Sequence, residues 1–251
     1  MYRNALDRIE SQVDTRKNVA LRALKWLTHA KERLNVLQLQ HALATREGSK
    51  DVNETDLISD QMLVSFCAGL VAIDRESNSI RLVHYTTQEY LERRLSKPDA
   101  DSEIAKTCLR YLSFDAFSKP FTDGVSIQLT LLDHELSGYA TLHWAEHVQP
   151  AEEHYFETLR SLFQEQDRRD SLFQVWYWHY QPESWDRFRK APTTSPLHLA
   201  AMHGMAAFCT MLLSDDRTSY SPPALAASDN LIGHLWKAFC ANLEIRLDRL
   251  R

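Results

Sequence analysis

Apolar residues between residues 16 and 67 recur every three to four positions, the spacing of one face of an α-helix. Val19, Ala23 and Trp26 form such a stripe, and Val36, Leu39 and Leu43 form a second one behind the capping residue Asn35. The pattern predicts three helices, over Arg16–Ala30, over a short stretch after Asn35, and from about residue 53 or 55 to Cys67.

The pattern then changes to two short apolar runs that are typical of β-strands. They cover Leu70–Asp74 and Ile80–Tyr85, and the polar residues 75–79 join them as a hairpin. A helix over Thr87–Leu95 follows. Three helices, a hairpin and a helix are the order of a winged-helix domain, which we place at residues 16–96 of a mainly α-helical protein. Residues 1–15 indicate a lone polar helix, the end of an element that continues upstream.

Lys97-Pro98-Asp99 interrupts the pattern, and residues 97–190 are predicted to form a mostly helical linker domain. The stretch SPLHLAAMHG, Ser195–Gly204, differs at one position from the T-P-L-H-x-A signature of ankyrin repeats. A return helix is expected around Phe208–Leu213, and a weaker copy at Pro222–Asn230. We therefore predict a partial, degenerate ankyrin-like repeat region over residues 191–251.

The composition narrows the classes of partner. A formal net charge of −5 gives no bulk attraction to nucleic acid or to an anionic membrane. The third predicted helix and its surroundings, residues 51–74, contain five acidic residues and no lysine or arginine, so contact with DNA phosphates is not expected there. Four widely spaced cysteines and no apolar run of membrane-spanning length predict a cytoplasmic protein.

Residues 82–91, LVHYTTQEYL, contain the main candidate site. His84 ends a predicted strand and faces the amino end of the next helix, where free N–H groups and the helix dipole favour an anion. Thr86 and Glu89 have the spacing of a capping box at that helix start. The pattern therefore predicts that His84 is placed to meet an anionic ligand.

A second motif, His143-Trp-Ala-Glu146-His147, has the H-x-x-E-H spacing of an inverted zinc-protease site. Zinc needs a third protein ligand, and residues 217–223, at the expected distance downstream, hold neither a histidine nor a carboxylate. The chain also lacks a G-x-x-x-x-G-K-[ST] phosphate loop, so ATP hydrolysis by the chain alone is not expected. We predict no catalytic residue, no metal and no cofactor within the chain.

Several stretches together resemble fungal NACHT-type, NLR-like signal-transducing NTPases that carry ankyrin repeats. They are ALKWL at 23–27, LQHAL at 39–43, CAGLV at 67–71, LVHYTTQEYL at 82–91 and YAxxHWxxH at 139–147. The resemblance runs from about residue 2 to residue 213. In that family a NACHT nucleotide-binding domain precedes a winged helix, a helical linker and an ankyrin array. The chain looks like the part after the nucleotide-binding domain, so ADP or ATP is implied only if a NACHT domain lies upstream.

In related signalling NTPases the winged helix carries a Met-His-Asp motif whose histidine contacts the β-phosphate of ADP. Val83-His84-Tyr85 resembles that motif, with the histidine kept and tyrosine in place of aspartate. The resemblance implies a non-enzymatic regulatory module in which the winged helix couples nucleotide state to conformation and the ankyrin-like region binds a protein partner. The alternatives are a free-standing ankyrin adaptor or scaffold and, with less support, a zinc hydrolase using His143 and His147.

Overall fold

The computed structural model describes residues 2–180 and 195–214, apart from the side chains of Tyr180, His198 and Met202. The predicted weaker repeat at 222–230 and most of the predicted ankyrin-like region lie outside the described residues. The first helices are α1 Tyr2–Glu10, α2 Asp14–His29, α3 Val36–Ala44, α4 Asp60–Phe66, α5 Tyr85–Arg94 and α6 Lys97–Leu112. The later ones are α7 Gly124–Asp133, α8 Ser137–Val148, α9 Phe156–Leu162, α10 Gln166–Tyr180, α11 Pro196–Met202 and α12 Ala206–Ser214.

Two strands, β1 Val71–Asp74 and β2 Ser79–Leu82, form an antiparallel hairpin between α4 and α5. Val71 lies opposite Leu82, and Asp74 lies opposite Ser79. The order α2, α3, α4, hairpin, α5 confirms the predicted fold class, a mainly helical protein with a winged-helix domain and a small sheet. Both strands lie where the two apolar runs predicted them, although β2 ends three residues earlier than expected.

The hairpin is attached to the connection between α2 and α3. The Ile80 amide donates to the Leu34 carbonyl, and the Val36 amide donates to the Asn78 carbonyl. Asn35 then starts α3 with a reciprocal capping box, since its side chain accepts from the Gln38 amide while the Gln38 side chain accepts from the Asn35 amide. The sequence predicted Asn35 as the cap, and the structure confirms it.

Helix α1 is not isolated. The sequence predicted a helix with little to pack against, but Ala5, Leu6 and Ile9 are buried within the winged-helix unit. Arg8 donates to the Ala68 carbonyl just after α4, and Gln12 donates to the Phe66 carbonyl. One apolar face and two polar side chains therefore tie α1 to the domain.

The chain divides into two compact units, and the first contains residues up to Ala116 together with Gln128–His147. Within this unit α6 packs against α2, with Ile104 and Ala105 fully buried. Glu103 of α6 pairs with both Arg22 and Lys25 of α2, at 3.0 and 2.6 Å. The sequence predicted that a linker domain starts at residue 97, and that boundary stays a prediction. In the structure, α6 packs on α2 of the winged helix.

The second unit contains Phe117–Ile127 and the described residues from Val148 onward. Its core includes Phe173 of α10 and Phe208 of α12. The helix pair predicted from the SPLHLAAMHG stretch is present as α11 and α12, with Gly204 between them at φ +66°. A left-handed backbone conformation at this turn favours glycine. Gln149 donates to the His203 carbonyl beside that turn, at 2.9 Å.

None of the helices within residues 2–180 and 195–214 combines the length and the apolar character needed to cross a membrane.

The packing of α1 leads to a stability prediction. Ile9→Ala removes a fully buried side chain, so we expect it to lower the free energy of unfolding by about 2–5 kcal/mol. Val13→Ala is the matched control, because Val13 is 66% exposed and should change stability by less than about 0.5 kcal/mol. Urea denaturation of the two variants and the parent chain measures both effects. Equal stability of all three would contradict the assignment of α1 to the domain.

Candidate functional site

The junction between β2 and α5 places His84 at the surface. β2 ends at Leu82 and α5 begins at Tyr85, so His84 is the N-cap residue, with an extended backbone at φ −140° and ψ 148°. Its carbonyl accepts from the Thr87 amide at 3.0 Å, while its side chain makes no capping hydrogen bond. The backbone of His84 is therefore held by the helix, and its exposed imidazole is left to face solvent.

The predicted capping box of Thr86 and Glu89 is wrong. α5 begins two residues earlier than expected, so Thr86 lies inside the first turn rather than at the cap. The Thr86 hydroxyl is 2.6 Å from the Tyr2 hydroxyl, and Glu89 accepts instead from the Tyr85 hydroxyl, also at 2.6 Å. That hydrogen bond to the Glu89 carboxylate raises the pKa of Tyr85.

Helix α1 lies directly beside this junction. Besides the hydrogen bond to Thr86, the ring of Tyr2 lies 5.7 Å from the ring of Tyr90, one turn further along α5. Tyr85, next to His84, is 76% exposed. The His84 junction therefore consists of an exposed imidazole, an exposed phenol and a helix start that is attached to α1.

The second candidate motif lies on α8, where His143 and His147 point to different partners. His143 Nδ1 lies 2.7 Å from a carboxylate oxygen of Glu146, three residues on. His147 is buried, and its two ring nitrogens lie 2.8 Å from Asp101 Oδ1 and from the Tyr139 hydroxyl. Within residues 2–180 and 195–214, no group of three such side chains is arranged to hold a metal ion.

Asp101, His147 and Tyr139 instead form a continuous buried chain of hydrogen bonds. Burial disfavours the charged form of His147 and lowers its pKa to about 4, so the ring is neutral. A neutral ring that donates from Nδ1 to Asp101 accepts at Nε2 from Tyr139, whose oxygen in turn accepts from the Lys31 amide at 3.0 Å. Although burial opposes the charge of Asp101, hydrogen bonds from Lys97 and His147 keep its pKa below the ordinary value.

A second buried histidine, His41 of α3, lies 2.8 Å from the Tyr111 hydroxyl of α6. Burial, helped by the charge of nearby His134, lowers the pKa of His41 to about 4. The sequence did not predict this pair or the Asp101 partner of His147. A histidine on an apolar helix face was the available signal, but the partners lie 70 and 46 positions away in the chain.

The third helix of the winged-helix domain, α4, presents Asp60, Gln61 and Met62 to solvent. In many winged helices the corresponding helix enters the DNA major groove. Here the exposed side chains at its start offer no positive charge, and phosphate contacts require one. The exposed start of α4 therefore offers no basic side chain for a phosphate contact.

Residues 6–118 match a protein family described as GPI inositol-deacylase, winged helix domain. The match covers less than half of the chain and coincides with the winged helix described above, together with most of α1 and all of α6. No curated protein and no solved structure was found to match the chain. The matched description names a domain of an enzyme; the resemblance to NACHT and ankyrin proteins stays a prediction.

The buried network of hydrogen bonds predicts that losing the Tyr139 hydroxyl lowers the free energy of unfolding. Tyr139→Phe leaves His147 Nε2 and the Lys31 amide without their partner, so we expect a loss of about 1–3 kcal/mol in the free energy of unfolding. Tyr85→Phe removes an exposed hydroxyl that also has a hydrogen-bond partner, and it should cost less than about 0.5 kcal/mol. Thermal and urea denaturation compare the two. If the Tyr139 variant were as stable as the Tyr85 variant, the buried network of hydrogen bonds would not stabilise the fold.

The lowered pKa values of His41 and His147 predict that acid lowers the stability of the fold. His41 and His147 titrate at about 4 when folded and near 6.5 when unfolded, so below pH 6.5 the unfolded state binds more protons. Their stabilising contribution is complete above pH 6.5 and is lost as the pH falls towards 4. Each histidine adds a slope of up to about 1.4 kcal/mol per pH unit within that window. Urea denaturation at pH 7.5, 6, 5 and 4.5 measures the slope, and stability that stays constant across this series would refute the prediction.

Proposed function

We propose that this chain is a non-enzymatic regulatory and protein-interaction module of a NACHT/ankyrin-type signalling protein. Its winged helix couples the state of a bound nucleotide to conformation, and the ankyrin-like region, residues 191–251, binds a protein partner. The observation that carries the proposal is the position of His84, an exposed imidazole at the start of α5.

Three features of the junction support nucleotide sensing. The His84 imidazole extends from a backbone that α5 holds in place, so it can contact a ligand without rearrangement of the strand. The amino end of α5 carries partial positive charge that favours a phosphate. Tyr2 connects the same turn to α1, so a movement of α5 would be passed directly to α1. The likeness of Val83-His84-Tyr85 to the Met-His-Asp motif identifies ADP as the ligand to test.

A protein partner fits the remaining surfaces better than a nucleic acid does. The acidic stretch from Asp51 to Asp74 contains the surface of α4 and carries no basic residue. In the second unit, α11 and α12 form a helix pair with a glycine turn, and Leu213 of α12 is 55% exposed. Paired helices with exposed apolar side chains are a common binding surface in helical repeats.

A chimera tests the sensing role. The full chain is fused behind the nucleotide-binding domain of a fungal NACHT–ankyrin protein, and the release of a fluorescent ADP analogue is timed. We expect His84→Ala to accelerate ADP release about tenfold or more, since it removes a hydrogen bond to a charged phosphate. Gln88→Ala, an exposed residue of the same helix, is the control and should leave the release rate unchanged.

Equal release rates for the parent chimera and the His84 variant would remove the sensing role. The helix pair α11–α12 would then support the competing adaptor interpretation, in which the winged helix is a scaffold. A zinc-dependent activity would instead require His147 to leave both of its partners, Asp101 and Tyr139.

A further inference from the structure

His134, immediately after α7, has both ring nitrogens next to hydrogen-bond acceptors. Nδ1 lies 2.7 Å from the carbonyl oxygen of Thr130, and Nε2 lies 2.8 Å from Oδ1 of Asp51. A carbonyl oxygen can only accept, and so can an ionised carboxylate. Both nitrogens can be satisfied together only when each carries a proton, which makes the ring an imidazolium.

The surroundings of His134 favour that positive charge. The ring lies at the carboxyl end of α7, where the helix dipole and the last carbonyl groups attract a cation. Its side chain is 9% exposed, so water screens its interactions only in part. The titratable and charged groups around it include Asp51 from the loop, Tyr111 from α6, His41 from α3, and the sequence neighbours Asp133 and Glu135.

Asp51 belongs to the loop that connects α3 to α4, residues 45–59, here called the α3–α4 loop. Gln40 donates to the Ile58 carbonyl near the far end of this loop, and the Asp115 amide donates to the Lys50 carbonyl at 3.0 Å. Oδ1 of Asp51 also accepts from the Val52 amide. The contact with His134 is therefore a side-chain connection between the middle of the loop and the end of α7.

We propose that His134 is a pH-operated latch for the α3–α4 loop. The imidazolium holds Asp51, and loss of one proton releases the middle of the loop. When the remaining proton stays on Nδ1 for the Thr130 carbonyl, the Nε2 lone pair faces the Asp51 carboxylate, and the attraction becomes a repulsion. Among the common side chains, imidazole is the one whose unperturbed charge change falls between pH 5 and 8. It does not depend on the sensing role proposed for His84.

The protonation state is read directly, without any substitution. In ¹⁵N NMR of the parent chain at pH 6, we expect both ring nitrogens of His134 to carry protons, and at pH 8.5 only Nδ1. A neutral His134 ring at pH 6 would overturn the proposal. So would an imidazolium that persists unchanged at pH 8.5, because the latch could not then open.

Hydrogen exchange reads the loop itself. After correction for the intrinsic pH dependence, we expect the amides of Val52 and Asp115 to exchange about twofold to fivefold faster at pH 8.5 than at pH 6, the range expected for a partly exposed ion pair. His134→Gln and Asp51→Asn should each abolish this pH dependence. Asp56→Asn is the matched control, because Asp56 lies in the same loop but pairs with Arg46 at 3.6 Å. Exchange that is independent of pH in the parent chain, or pH dependence that survives in both latch variants, would refute the latch.

Discussion

The first unit depends on satisfying polar groups in its interior. Asp101, His147 and Tyr139 are all buried, and each would be costly without a partner. Asp101 accepts from His147, His147 accepts from the Tyr139 hydroxyl, and the Tyr139 oxygen accepts from the Lys31 amide. Each hydrogen bond therefore determines which group donates and which accepts in the next one. This network of hydrogen bonds joins α6, α8 and the connection after α2. Apolar contacts alone would hold these three parts of the sequence together with less specificity.

The same connection after α2 also determines where His84 lies. Leu34 and Val36 bind the hairpin on either side of the Asn35 cap, so the position of β2 follows from the start of α3. The chain continues from β2 directly into α5. His84 is the N-cap residue of α5, and its imidazole is exposed. The position of His84 thus follows from the backbone hydrogen bonds between the hairpin and the start of α3.

The first unit contains three histidines whose surroundings favour different protonation states. His41 and His147 are stable there only when neutral, because burial penalises their charge. His134 faces two acceptors and is satisfied only when charged. Acid therefore opposes the folded state at His41 and His147. Tyr111 contacts both histidines, since its hydroxyl lies 2.8 Å from His41 Nδ1 and its ring lies 6.2 Å from the His134 ring.

Local pattern was enough to predict the winged helix, because helix stripes, the cap at Asn35 and the polar residues of the hairpin act over a few neighbours. The same local reasoning placed His84 at the junction between the second strand and the next helix. It failed for Thr86 and Glu89, since the spacing of a capping box does not reveal that the helix begins at Tyr85. Only the tertiary structure could pair Asp101 with His147, His41 with Tyr111 and Asp51 with His134, because hydrogen bonds between distant residues depend on how the helices pack. The sequence alone therefore determined the order of the elements, whereas packing decided which side chains became partners and which histidine rings are buried.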